Sequence, residues 1–178
     1  MTIAHRPFSR SAARAGFRLV PFSIALASGA LLGGALLFQY VGGLQPCVLC
    51  LYQRWPYVAT IALGLAGAAL ARRLSGRGLS FLVRLCGIAF LAGAGVAGFH
   101  VGVEQGWWQG TAACGGTIGG DLSLDDLKAQ LLAQPVVRCD EVPWALFGIS
   151  LAGYNLLASL GLAAASAWAA QRLAGAER

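Results

Sequence analysis

Five cysteines carry the most specific chemical signal in this 178-residue chain. Cys47 and Cys50 stand in a C-V-L-C motif, Cys114 and Cys139 lie far apart in a later stretch, and Cys86 sits alone in an apolar run. A C-x-x-C pair by itself serves zinc sites, redox centres and structural bridges alike. Zinc calls for a second close pair, whereas Cys114 and Cys139 are well separated and the one nearby imidazole is His100. A purely structural bridge explains Cys114 and Cys139 well, as a staple on a glycine-rich loop that cannot build its own core. It explains Cys47 and Cys50 poorly, because closing so short a loop restrains little unfolded chain. Redox activity accounts for both pairs.

The neighbours of the C-V-L-C motif suit a reactive thiol. Cys50 is expected in the first turn of a helix, where free N–H groups and the helix dipole stabilise a thiolate. Arg54 follows four residues later, one turn away on the same face. A guanidinium there lowers the thiol pKa further and polarises a carbonyl-bearing cofactor; the competing role is snorkelling to headgroups. An ionisable residue in an apolar helix is a functional candidate by default. His100 and Glu104 repeat the four-residue spacing. His100 suits hydrogen bonding to a cofactor oxygen or proton relay, with Glu104 orienting its ring, or else satisfaction by backbone or headgroup. Cys86 reads as a buried small hydrophobe.

The elements that position these residues are apolar helices. The chain is 57% hydrophobic and 11% charged, about half the charge fraction of an ordinary soluble domain. Four segments approach or exceed the ~20 residues that cross a bilayer: about 19–40, 51–71, 79–103 and 145–170. Backbone groups in lipid must be satisfied internally, so the expected fold is an all-α membrane protein, a four-transmembrane-helix bundle in one domain spanning 1–178. Gly29, Gly33 and Gly34 in the first helix, and Gly93, Gly95 and Gly98 in the third, are expected to permit close helix approach. Ala25-Leu26-Ala27 has the form of a signal cleavage site, but the apolar run continues past it, so the segment reads as retained.

Arginines orient the bundle. Arg6, Arg10, Arg14 and Arg18 precede the first span, Arg72, Arg73 and Arg77 join the second to the third, and Arg172 and Arg178 follow the fourth. The positive-inside rule makes that side cytoplasmic, with both termini inside and four of the five cysteines on the oxidising side. The formal charge of +6 therefore reads as membrane orientation and not as a nucleic-acid surface. In the outer loop, about 104–144, Ser123 can cap a short helix with Asp125 and Asp126 in its first turn. Leu124, Leu127 and Leu131 give that helix one apolar face, suited to lying on the bilayer surface. Trp107, Trp108 and Trp144 stand where an interfacial aromatic belt belongs.

The run Gln45-Pro46-Cys47-Val48-Leu49-Cys50-Leu51-Tyr52-Gln53-Arg54 resembles the signature of the DsbB family, quinone-linked disulfide-forming proteins of bacterial inner membranes. The resemblance covers nearly the whole chain, down to the second cysteine pair before the last helix. The vitamin K epoxide reductase family carries similar parts with the loop cysteines ahead of the C-x-x-C motif; here they follow it. The resemblance implies that a periplasmic thioredoxin-fold partner similar to DsbA attacks a Cys114–Cys139 disulfide, forming a mixed disulfide at Cys114. Electrons then pass to Cys47–Cys50 and on to ubiquinone or menaquinone. It further implies that Cys50 faces the quinone, with Arg54 and His100 as cofactor-binding residues and no metal. Three departures stand out: Gln53 where an acidic residue often precedes the arginine, an extra position between His100 and Gln105, and the ending Cys139-Asp140-Glu141-Val142-Pro143-Trp144. They bear on the partner more than on the chemistry. A different class of reading is a non-catalytic four-helix scaffold or transporter subunit with structural disulfides.

Overall fold

The computed structural model describes residues 9–111, 114 and 137–175. Among these, α1 (Ser9–Tyr40), the short α2 (Val48–Tyr52), α3 (Trp55–Leu70), α4 (Gly76–Glu104) and α5 (Leu151–Gly175) are helical, and a two-residue strand pair precedes α5. Among the described residues, three helices are long and apolar enough to cross a membrane: α1 over Arg18–Tyr40, α4 and α5. Phe22, Leu26, Phe81, Ile88, Leu91 and Trp168 all lie exposed on their outer faces. Apolar side chains over so much surface mark a protein whose surroundings are lipid. The interfacial helix expected around Ser123–Leu131 lies outside the described residues.

The segment expected as one helix over 51–71 is divided. Gln53 and Arg54 form a turn between α2 and α3, and Pro56 occupies the first turn of α3. Proline is tolerated there because that position has no intrahelical N–H bond to lose. At 16 residues, α3 is roughly 24 Å long at about 1.5 Å per residue, short of a ~30 Å hydrocarbon core. The last apolar run also starts differently. Residues 145–150 form a hairpin, with Ala145 opposite Ser150 and Leu146 opposite Ile149. Its turn residues Phe147 and Gly148 both have positive φ, 51° and 77°, as a tight primed hairpin turn requires. Hydrophobicity alone conceals that turn.

The helices alternate in direction. Arg18 Nε donates to the Ala68 carbonyl at 3.3 Å, tying the start of the first span to the end of α3. Ser80 Oγ donates to the Ala170 carbonyl at 2.7 Å, tying the start of α4 to the end of α5. Arg18, Arg72, Arg73, Arg77 and Arg172 thus gather at one end, and the C-V-L-C motif, His100 and Glu104 at the other. Phe90, Leu79, Val83 and Cys86 fill the centre, so Cys86 is the buried small side chain its surroundings suggest.

Close helix approach occurs at glycines other than most of those expected. A Cβ at Gly29, Gly33, Gly34 or Gly95 would meet nothing within 4 Å. At Gly64 it would lie 2.6 Å from the Pro21 carbonyl oxygen and 3.0 Å from Ala25 Cβ, and at Gly67 2.9 Å from Pro21 Cβ. Of the glycines expected to serve, Gly93 does so, against Pro56 at 3.2 Å. Buried Ser28 and Thr60 share a 2.8 Å hydrogen bond across the same α1–α3 seam. We expect Gly64→Ala to cost about 1–3 kcal/mol, the usual penalty for overpacking, while Gly29→Ala stays within about 0.5 kcal/mol. Thermal unfolding in detergent micelles would read the difference; equal melting temperatures would contradict this seam.

Candidate functional site

The chain leaves α1 at Tyr40, turns through Gly43 at φ 68°, and places Cys47 as the N-cap of α2. Its backbone is extended there, so its side chain turns back over the helix start, and Cys47 Sγ accepts the Cys50 amide N–H at 3.3 Å. The helix terminus therefore serves Cys47, whereas the sequence assigned its free N–H groups to Cys50. The cause is geometric: an N-cap side chain points back at the first-turn amides, while a residue inside that turn points outward. The two thiols are also in hydrogen-bond contact, Cys47 Sγ lying 3.1 Å from Cys50 Sγ.

A third contact completes the cradle. His100, buried near the end of α4, brings Nε2 to 3.6 Å from Cys47 Sγ. Glu104 stands 3.8 Å from the same nitrogen and accepts the Ser150 hydroxyl, so the expected His100–Glu104 pairing forms. The Cys50 thiol, then the His100 ring and the Cys50 amide, pull the Cys47 thiol from the ordinary range down to about 4 against its burial. Cys50 moves upward, because its proton is the one shared with the Cys47 anion. The contact thus pushes the two thiols apart in acidity, Cys47 downward and Cys50 upward.

Cys114 and Cys139 form a disulfide with Cα atoms 5.0 Å apart. Both are buried and share one apolar cluster with Cys47, Leu49 and Val103, with Cys50 packed against it. The Cys139 amide donates to the Cys114 carbonyl at 3.1 Å, and the Cys114 amide to Thr111 at 2.7 Å. A Cβ at Gly110 would lie 2.7 Å from Cys114 Cβ, so glycine is what admits the disulfide against α4. Trp108 donates its indole N–H to the Phe99 carbonyl at 2.9 Å and lies over Gly102, whose absent Cβ makes room for the ring. Of the three tryptophans expected at an interface, Trp107 and Trp108 are exposed and Trp144 packs on Phe38.

On the other side of the C-V-L-C motif lies a cavity of about 390 Å³ between α1, the α2–α3 turn and the start of α5. Leu31, Phe38, Leu44 and Trp144 give it apolar walls, and Gln39, Gln53, Arg54 and Asn155 supply polar groups. Cys50 lines it and Cys47 does not. Arg54, the N-cap of α3, reaches the cavity through the chain break and not along a continuous helix face, and donates to Gln39 Oε1 at 2.6 Å. Its other N–H groups remain able to meet a carbonyl oxygen. Volume, apolar walls and a few convergent polar groups suit a flat, largely apolar carbonyl compound.

His100 does not line this cavity. Gln53, which does, joins its amide to His100 Nδ1 at 2.8 Å. Asn155 donates to Gln53, Tyr57 donates to Asn155, and Ser159 meets the Tyr57 hydroxyl at 2.9 Å. Gln53, Tyr57, Asn155 and Ser159 were not among the candidate residues. A polar residue at each of four apolar-helix positions was the available signal, since such groups need partners in lipid. The ligand atoms of Cys47, Cys50 and His100 lie within 4.8 Å of one another. The sulfurs, however, are closer than the roughly 3.8 Å that two thiolates reach around tetrahedral zinc at about 2.3 Å each. At 3.1 Å they are in hydrogen-bond contact, between that zinc spacing and the roughly 2.05 Å of a disulfide.

The family model for disulfide bond formation protein DsbB matches residues 17–169. Disulfide bond formation protein B 2 of Pseudomonas syringae pv. syringae is 35% identical over 155 residues, covering 82% of this chain and 83% of the relative. Disulfide bond formation protein B of Acinetobacter baumannii is 32% identical over 161 residues, 87% of this chain and 91% of that one. An uncharacterized protein of Rickettsia prowazekii is 31% identical over 133 residues, 74% of each chain. No solved structure gives a significant match. With two cysteine pairs in one buried cluster, apolar membrane helices and a family match across nearly its full length, the chain belongs to the DsbB family, membrane oxidoreductases of disulfide bond formation.

Proposed function

We propose that this single-domain protein crosses the bacterial inner membrane four times and reoxidises a periplasmic thioredoxin-fold dithiol protein similar to DsbA, delivering the electrons to a bound quinone. Both termini face the cytoplasm and both cysteine pairs the periplasm. The gathering of arginines at the opposite end supports this orientation. For the fourth crossing, the α2–α3 turn and its flanking residues extend the short α3 toward the outer surface. The observation that carries the proposal is the division of labour within one motif: Cys50 lines the apolar cavity, whereas Cys47 packs with the Cys114–Cys139 disulfide. A sulfur pair so placed faces a protein disulfide on one side and a small-molecule site on the other.

In this scheme a thiolate of the partner attacks Cys114, breaking the Cys114–Cys139 bond and releasing the Cys139 thiolate. Thiol–disulfide exchange then needs aligned sulfurs and a good leaving thiolate. The Cys139 thiolate attacks Cys47, the sulfur in its own cluster, forming a Cys139–Cys47 disulfide, breaking the Cys47–Cys50 bond and releasing the Cys50 thiolate at the cavity wall. The partner's second thiol and then the freed Cys114 resolve the two mixed disulfides, leaving the partner oxidised, Cys114–Cys139 restored, and Cys47 and Cys50 reduced. Arg54 and the Gln39, Gln53 and Asn155 amides would hold the quinone against the walls formed by Phe38 and Trp144. A quinone bound there supplies a two-electron acceptor for the reduced cysteine pair. His100 acts on the cavity through Gln53. The scaffold reading leaves unexplained why two free thiols sit 3.1 Å apart beside an imidazole.

Purified protein mixed with a reduced thioredoxin-fold dithiol protein and a soluble quinone is expected to reduce the quinone. Cys50→Ser should lower that rate at least about 100-fold, and Arg54→Ala should raise the quinone KM about tenfold, the scale of one charge-assisted hydrogen bond. A Cys50→Ser protein turning over at the parental rate would refute the assignment. The depressed pKa also fixes a sign: the Cys47 thiolate persists above about pH 4 and is lost as pH falls through that value. Ultraviolet thiolate absorbance of the reduced protein, with Cys86, Cys114 and Cys139 replaced by serine, should titrate there. A midpoint near the ordinary cysteine pKa of about 8.5 would mean the cradle does not hold the anion.

A further inference from the structure

Five side chains form one buried hydrogen-bonded line from the interior to the reactive sulfur, and the chemistry of each link dictates the next. Tyr57 has a single hydroxyl proton, which it gives to Asn155 Oδ1; Ser159 Oγ lies 2.9 Å from the Tyr57 hydroxyl oxygen and can donate to it. Asn155 therefore turns its amide nitrogen outward, toward Gln53 Oε1. Gln53 is left with its own amide nitrogen facing His100 Nδ1, 2.8 Å away. An amide nitrogen only donates, so Nδ1 must carry a lone pair. The proton of the neutral ring then resides on Nε2, the atom 3.6 Å from Cys47 Sγ.

We propose that Gln53, Asn155 and Tyr57 are positioning residues that hold His100 as its Nε2–H tautomer, so that the ring donates a hydrogen bond to the sulfur of Cys47. His100 in this arrangement is a fixed donor to an anion and not a base waiting for the thiol proton. The inference rests on the reading of Cys47 and Cys50 as the exchanging pair, and it gives Gln53, Asn155 and Tyr57, which also line the cavity, a second task toward His100. Their positions explain why polar side chains are kept in apolar helices: Tyr57 on α3 and Asn155 and Ser159 on α5 interlock with Gln53 at the chain break.

Other groups around Cys47 do not supply the same information. Cys50 shares its proton on α2, Glu104 approaches Nε2 at 3.8 Å on α4, and the Cys139 backbone also touches the ring. Glu104, at 3.8 Å, is too far from Nε2 to accept a hydrogen bond and acts on the ring only through its charge. Arg54 is turned to Gln39, and Arg138 to Asp140 and Glu141 on the exposed flank. The Gln53 amide is the side chain that meets Nδ1, at 2.8 Å.

Nitrogen-15 NMR of the reduced full-length protein, labelled at histidine and assigned with His100→Asn, should show a neutral His100 ring protonated at Nε2. Protonation at Nδ1 would overturn the proposal, because Gln53 would then be turned the other way. Asn155→Leu removes both links of the line and should raise the proton affinity of Cys47 about tenfold, read from thiolate absorbance with no quinone present. Should Asn155→Leu fail to fold, Tyr57→Phe, which leaves Asn155 free to rotate, should weaken the Nε2–H signature in the same direction. Asn155 also lines the cavity, so quinone KM is measured beside the titration. A raised KM with an unchanged Cys47 titration would make Asn155 a ligand-binding residue and refute the positioning role. A positioning failure leaves dithiol oxidation by the parental protein intact, whereas a parental protein that cannot reduce quinone would refute the functional reading itself.

Discussion

Three groups converge on the sulfur of Cys47 from different directions: the Cys50 thiol, the Cys50 amide, which donates to it, and the His100 ring. Burying a charge is costly unless it is paired and hydrogen-bonded, and this sulfur meets both conditions with only its own turn and one residue of α4. The rest of the architecture can be understood as what that convergence demands. The N-cap geometry of a five-residue helix aims the amide. The break at Gln53 and Arg54 frees both side chains from a continuous helix face, sending one to His100 and the other to α1. Close packing at Gly64, Gly67 and Gly93 holds α1, α3 and α4 near enough for those contacts to form.

The same convergence separates two environments that a disulfide-forming protein has to keep apart. Cys47 belongs to a cluster with the Cys114–Cys139 bridge, and Cys50 to the wall of an apolar cavity. The N-cap and the first turn of one short helix put them only 3.1 Å from each other. On the proposed reading, electrons cross between a protein partner and a lipid-soluble acceptor over the width of a single sulfur pair. The disulfide and the cavity meet opposite faces of the motif, so on that reading no large movement within it is needed.

Polar residues inside the bundle form two kinds of contact. Ser28 with Thr60, and Ser80 with the Ala170 carbonyl, tie helices together far from the cysteines. Tyr57, Asn155, Gln53 and His100 instead lie end to end and terminate on the reactive sulfur. Both satisfy the requirement that polar groups in lipid find partners, but only the second has a direction. A line of donors and acceptors transmits the choice made at one end to the other, which is why the tautomer of His100 depends on residues that never touch Cys47.

Much was legible in the sequence because it depends on local or additive properties. Apolar stretches of sufficient length reveal membrane helices, arginine placement separates the two ends of the bundle, and the C-V-L-C motif with Arg54 and His100 singles out the site. Family membership was equally readable from the run Gln45–Arg54. Tertiary structure decided what depends on which surfaces meet. It divided the second helix at Gln53, opened the last apolar run with a hairpin turning at Phe147 and Gly148, and moved the close approaches to Gly64 and Gly67. It also turned His100 toward Cys47 and away from the cavity, and gave the helix-terminal amide to Cys47 in place of Cys50. Hydrophobicity and four-residue spacing describe one helix at a time. The partner of a buried donor is chosen by the neighbouring helix, and no periodicity within a segment records that choice.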